Sequence, residues 1–140
     1  MCLAVYVASD TPLPLRAWNA EQPAFHVAAL TEADGAIRTQ FSKPHVVYVG
    51  AHEGCGCGFA FGEWEGEEPE EAAAGEASVR ALGDYLAAAT ALGPSVELYA
   101  CWEGDQALEP LHRRTMTPAD FRGPAFWFEK RTFAIIAPAV

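Results

Sequence analysis

One long amphipathic helix is the feature that most limits the folds open to this chain. Its apolar residues recur at spacings of three, four and three, and they are Val79, Leu82, Leu86 and Ala89. Such residues share one helical face. Gly93 and Pro94 follow, and this pair ends a helix because Gly accepts a left-handed conformation and Pro cannot continue the helix. A single long helix can cover only one face of a sheet.

Shorter stretches rich in Val, Tyr and Phe supply the strands. We predict strands at residues 2–8, 25–30, 37–41, 45–51, 96–102 and 125–137. The second and third form a hairpin across the turn 31–35, and the strand 45–51 is central. The last stretch changes phase, since Phe126 and Phe128 occupy even positions and Phe133 and Ile135 odd ones. A bulge or turn near residues 129–131 is therefore expected.

Together these elements predict an α+β fold. It consists of a mainly antiparallel sheet of five or six strands, one long amphipathic helix packed on one face, and one or two short helices. The short helices are expected at 13–19 and at 117–122, where Thr117, Pro118 and Asp120 match an N-cap, an N1 proline and an acidic N3 residue. With 140 residues and no linker or repeat, residues 1–140 are expected to form a single globular domain.

The charge of the chain disfavours two classes of partner. Nine Lys and Arg residues against nineteen Asp and Glu give a net charge of −10, which opposes binding to nucleic acid or to anionic membranes. Much of the excess lies in the Glu-rich stretch 63–76, which water must solvate. No secretory signal or membrane span is visible, so a cytoplasmic location is expected. The sheet face away from the helix needs a loop, a partner or a second copy, and we predict a homodimer.

The segment 52–58, His-Glu-Gly-Cys-Gly-Cys-Gly, is the candidate functional site. His52, Cys55 and Cys57 offer an imidazole and two thiols within a short loop, and these ligand types suit Zn²⁺ or Cu⁺. A fourth ligand would come from Cys101, Cys2 or His45. The chain is long enough to build a core without a metal, so no cofactor is required for folding.

Two other chemistries fit the same loop. Cys55 or Cys57 could be a reactive thiol, with His52 as the activating group and the other cysteine as the resolving thiol. Alternating glycines could also form a nest of backbone N–H groups that binds an anion. Whether the protein is an enzyme therefore stays open at this stage.

The best-supported function is thus a thiol or soft-metal site in loop 52–58. The alternative is a non-catalytic interaction or small-ligand-binding module in which this loop is structural and its cysteines pack as small hydrophobic residues. The aromatic residues Trp102, Phe126, Trp127 and Phe128 would line a pocket or a dimer surface, or else pair across strands in the core.

Overall fold

The computed structural model of this chain describes residues 2–21, 24–62, 65–91, 93, 95–122 and 126–138. Within these residues, six strands form one sheet, and one long helix packs on it. The strands are β1 (Leu3–Ser9), β2 (Phe25–Ala29), β3 (His45–Ala51), β4 (Val96–Trp102), β5 (His112–Met116) and β6 (Thr132–Ile136), and the helix is α1 (Pro69–Ala91). Glu63, Pro94 and Ala125, which contribute to the predictions above, lie outside the described residues.

The sheet confirms the predicted α+β class. The strand order is β2-β3-β1-β4-β6-β5, and every neighbouring pair is antiparallel except β5 and β6. Strand β3 has the predicted bounds and is an inner strand, although β1 and β4 occupy the middle of the sheet. No helix among the described residues is long and apolar enough to span a membrane.

Two predictions in the first third of the chain are wrong. Residues 37–41 are not a strand, because a 3-10 helix runs over Glu32–Gln40 and Thr31 caps it with Asp34 in a capping box. Residues 13–19 form no helix, and Arg16 instead makes an isolated bridge to Val27. Pro12 and Pro14, which lack N–H donors, favour extended chain there.

The last third contains a strand that periodicity does not reveal. Strand β5 is exposed along most of its length and carries two arginines, so no apolar alternation marks it. Strand β6 is shorter than predicted, because a turn that includes Arg131 at φ 57° precedes it. The short helix expected after Thr117 is the 3-10 turn Pro118–Asp120, with the expected capping box.

The two faces of the sheet carry separate apolar clusters. The first lies under α1, where Leu82 and Leu86 are fully buried. The second lies on the other face around Tyr6 and Tyr99, where Ile37 of the 3-10 helix Glu32–Gln40 packs against the sheet. This short helix therefore covers part of the face that the long helix leaves open, while the expected homodimer remains a prediction.

Candidate functional site

The pairing of β1 places the beginning of the chain beside loop 52–58. Val5 pairs with Val49 of β3, and Leu3 pairs with Trp102 at the end of β4. The start of β1 thus lies between the ends of β3 and β4 at one end of the sheet. Cys2 precedes β1 and so reaches the loop that follows β3.

Loop 52–58 turns back sharply on the end of β3. The N–H of Ala51 donates to the carbonyl of Cys55 (3.0 Å), and the N–H of Gly54 donates to the carbonyl of Ala51 (3.1 Å). Gly54 has a φ of 84°, which side-chain-bearing residues rarely adopt. The 3-10 turn Gly56–Phe59 follows, and its fully buried Phe59 anchors the loop in the core.

Gly56 is the point at which this loop touches β1. A Cβ at Gly56 would lie 2.6 Å from the carbonyl oxygen of Leu3, a backbone atom that cannot rotate away. Glycine at this position therefore allows its neighbours Cys55 and Cys57 to approach Cys2.

Three cysteines converge as a result. The Sγ atoms of Cys2, Cys55 and Cys57 all lie within 4.8 Å of one another, and we call this group the cysteine cluster. Cys2 is exposed, whereas Cys55 and Cys57 are half-buried. These three sulfurs lie close enough together to hold a metal ion.

A backbone donor points at one of the sulfurs. The N–H of Leu3 donates to Sγ of Cys57 over 3.2 Å. Hydrogen bonds of this kind stabilise negative charge on sulfur and orient metal-bound thiolates. The bond also fixes Cys57 against the start of β1.

The surroundings of Cys55 disfavour its thiolate form. Burial raises the pKa of Cys55 to about 12, and the side chains of Cys57 and Cys2 act in the same direction. A low pKa is what activates a catalytic cysteine, so this position does not favour Cys55 as a reactive thiol. A bound metal ion would replace the thiol proton.

The other proposed ligands lie elsewhere. Cys101 is fully buried in the second apolar cluster with Ala4 and Tyr6, and burial raises its pKa to about 12. Cys57, in contrast, packs against the first cluster, on the helix side of the sheet. His45 begins β3 and lies at the end of that strand away from the loop. The structure brings neither residue into the cysteine cluster.

His52 is held by the long helix rather than by a cysteine. Its Nδ1 lies 2.8 Å from Oγ of Ser78, and its backbone N–H donates to the same oxygen over 3.2 Å. On the other edge of the ring, Nε2 lies 3.7 Å from Oε1 of Glu53. His52 thus stands beside the cysteine cluster without belonging to it.

A cleft of about 390 Å³ opens next to these residues. The side chains with functional groups in its wall are His52, Glu53, Cys57, Glu71, Trp102 and Trp127. Cys57 therefore belongs both to the cysteine cluster and to the wall of the cleft. A metal ion held by the cluster would lie at the edge of this cleft.

Two residues of this region carry no sequence signal that places them in the site. Ser78 and Glu71 lie on α1, and only the approach of that helix to loop 52–58 reveals their roles. The sequence indicates a pocket or a dimer surface for Trp127, but the neighbours of this residue depend on the strand order. Cys2 is among the ligands that the sequence suggests, and the position of β1 beside β3 brings it to the loop.

Comparison with known proteins gives no relative, since no family model, no curated protein and no solved structure matches this chain.

Proposed function

We propose that this protein binds one soft metal ion, Zn²⁺ or Cu⁺, through Cys2, Cys55 and Cys57. The observation that carries the proposal is the convergence of three sulfurs within 4.8 Å of one another. Thiolate sulfur is the ligand that these two ions prefer. Cys2, and not Cys101, is thus the ligand that joins Cys55 and Cys57.

The spacing of the sulfurs suits such an ion after a small adjustment. A Zn–S distance of about 2.3 Å separates two ligands of a tetrahedral site by about 3.8 Å. The side chain of Cys2 is exposed, so it can rotate toward the other two sulfurs at little cost. Loop 52–58 already holds the other two sulfurs in place.

The number of thiolates bears on the choice of metal. Three thiolates can complete a trigonal Cu⁺ site, whereas tetrahedral Zn²⁺ keeps a fourth position for water or another ligand. Cys57 lies in the wall of the cleft, so a fourth coordination position of the metal on that side would be open to a small molecule. His52, which the sequence offered as a ligand, lines the same cleft.

Metal content of protein purified without chelator tests the proposal. We expect close to one equivalent of zinc or copper, and loss of most of it in each of Cys2→Ser, Cys55→Ser and Cys57→Ser. The matched control is Cys101→Ala, which removes a buried cysteine outside the cluster and should retain the metal. Absence of metal from the wild type, also after reconstitution with Zn²⁺ or Cu⁺, would refute the proposal.

Cobalt substitution adds a direct readout of the ligands. Co²⁺ in a thiolate site gives sulfur-to-metal charge-transfer absorption in the near ultraviolet. The intensity should fall with each cluster cysteine removed and stay unchanged in Cys101→Ala. Equal charge-transfer absorption in the wild type and in Cys2→Ser would show that Cys2 is not a ligand.

The cleft supports a second function, in which Cys57 is a reactive thiol and His52, which lines the same cleft, is its activating group. Alkylation of the metal-free protein at pH 7 separates this function from metal binding, because a reactive thiol would be modified much faster than a peptide thiol. Four slow cysteines, no metal and normal folding of the variants would instead support a binding module with a structural loop.

A further inference from the structure

The cleft beside the cysteine cluster has the chemistry of a ligand site in its own right. Its volume of about 390 Å³ lies within the range of small-molecule pockets, near the lower end. Two indoles, from Trp102 and Trp127, provide an apolar wall, and Glu53 and Glu71 provide carboxylates. The described residues that line it include no lysine or arginine.

His52 adds a hydrogen-bond acceptor to this lining. Oγ of Ser78 donates its single hydrogen to the carbonyl of Ala74 (3.0 Å) and accepts the backbone N–H of His52. With the Ser78 hydrogen on Ala74, Nδ1 of His52, 2.8 Å from the same oxygen, is the donor of that contact. In this arrangement the neutral imidazole carries its hydrogen on Nδ1 and leaves Nε2, on the side of Glu53, as an acceptor.

The exposure of one aromatic side chain also points to a ligand. Trp127 is 54% exposed, while Trp102 is half-buried beside it in the cleft wall. A large exposed aromatic surface lining a concave site is typical of binding surfaces. Indole faces attract cations through the ring quadrupole, and nearby carboxylates strengthen this attraction.

We propose that the cleft binds a small organic cation, namely a primary amine with an apolar body. The ammonium group would donate to the carboxylates of Glu53 and Glu71 and to Nε2 of His52, while its apolar part contacts Trp102 and Trp127. An anionic ligand would face two carboxylates here, and no lysine or arginine among the described lining residues would offset them. The net charge of −10 adds a long-range attraction for cations.

This site does not depend on the proposed metal, because none of the groups that would hold the amine is in the cysteine cluster. The two sites share only Cys57 in the cleft wall. Amine binding can therefore be tested in a variant that lacks the metal site.

Titration with benzylammonium, followed by calorimetry and by the indole N–H signals of Trp102 and Trp127 in NMR spectra, tests the proposal. We expect saturable binding and at least fivefold weaker binding of benzyl alcohol, which has the same shape without the charge. Absence of binding, or equal affinity for the amine and the alcohol, would overturn the proposal.

Variants locate the site. Glu71→Gln should weaken benzylammonium binding by about fivefold, as expected for an exposed charge pair. The matched control Glu70→Gln changes an exposed neighbour on α1 outside the cleft and should leave the affinity unchanged. Equal effects of the two variants would show that only net charge matters and would refute the assignment. Binding retained in Cys55→Ser would separate this site from the metal proposal, and binding lost there would contradict the independence argued above.

Discussion

At the scale of single residues, the lack of a side chain at Gly56 lets loop 52–58 lie directly against β1. A methyl group at this position would meet the carbonyl oxygen of Leu3 at 2.6 Å, so either the loop or the start of β1 must move. We predict that Gly56→Ala destabilises the protein by about 1–3 kcal/mol and weakens metal binding. Urea unfolding and metal content of the same preparation measure both effects.

Gly35→Ala is the matched control for this prediction. Gly35 lies in the 3-10 helix Glu32–Gln40, and a Cβ there would have no neighbouring atom within 4 Å. Its replacement should leave stability within about 1 kcal/mol of wild type and leave metal binding unchanged. Normal metal binding by Gly56→Ala would show that the cluster does not need this close approach.

The hydrogen-bond partners of Ser78 predict the tautomer of His52. Because Ser78 already donates to Ala74, the neutral ring should carry its proton on Nδ1. Nitrogen chemical shifts of the His52 ring, measured above pH 8, should show this tautomer. In Ser78→Ala the proton should redistribute toward Nε2, the form preferred without a partner. A ring protonated on Nε2 in the wild type would contradict the proposed acceptor role in the cleft.

The lowered pKa of Asp34 predicts how the free energy of unfolding changes in acid. Burial by itself raises the pKa of Asp34, but hydrogen bonds from Tyr6 and Thr31 outweigh this effect and leave the pKa below its usual value. A depressed folded-state pKa stabilises the protein above the unfolded pKa of about 3.9, and this contribution disappears as pH falls through the lower folded value.

Asp34→Asn should therefore lower the free energy of unfolding by about 1–3 kcal/mol at pH 7, and the difference from wild type should shrink below about pH 4. Urea unfolding across this pH range measures it. The exposed Asp84 provides the control, and Asp84→Asn should change stability little at any pH. A difference that stays constant down to pH 2 would show that the charge of Asp34 is not the cause.

At the scale of elements, α1 stabilises the sheet through a few fully buried side chains. Leu86 is 0% exposed and packs in the first apolar cluster. Leu86→Ala should cost about 2–5 kcal/mol, because removing its methyl groups leaves a cavity under the helix. Leu15→Ala, at a leucine that is 60% exposed, should cost about 0.5 kcal/mol or less. Chemical denaturation of both variants checks this, and equal losses would contradict the packing described here.

The sequence predicts an element well when the apolar residues of that element mark its own buried face. Helix α1 shows apolar periodicity, strand β4 alternates, and strand β3 is rich in Val and Tyr, so their type and position are evident from sequence. The 3-10 helix Glu32–Gln40 buries only Asp34 and Ile37, and its capping contacts decide its form. Strand β5 is exposed, and its backbone pairing with β6 depends on the tertiary fold. No local sequence pattern indicates this pairing.

The candidate site likewise contains residues that the sequence identifies and residues that only the fold brings together. Cys55 and Cys57 stand out because alternating glycines accompany them in one short loop. The role proposed for Cys2 required knowledge that β1 pairs with β3, since residues far apart in sequence become neighbours only through strand order. Glu71 lines the cleft because α1 is placed beside it. Trp127 lines the cleft because the neighbouring Phe126 forms an isolated bridge to Phe61.

At the scale of the whole molecule, a metal ion in the cysteine cluster would join two distant parts of the chain. Cys2 leads into β1, one of the two middle strands, whereas Cys55 and Cys57 follow β3. The metal would bind the folded state far better than the unfolded one, because only folding brings these sulfurs together. Binding must then stabilise the entire fold, since β1 lies in the centre of the sheet.

We therefore predict that Zn²⁺ or Cu⁺ raises the melting temperature. At a free metal concentration one hundred times the Kd, the stabilisation is about 2.7 kcal/mol, which corresponds to about 5–10 °C for a chain of this size. Differential scanning fluorimetry of reduced, metal-free protein measures the shift. Cys57→Ser should lose it and Cys101→Ala should keep it, while Mg²⁺, which prefers oxygen ligands, should have no effect on any of the three proteins. An equal shift in wild type and Cys57→Ser would mean that the metal stabilises the protein from another place.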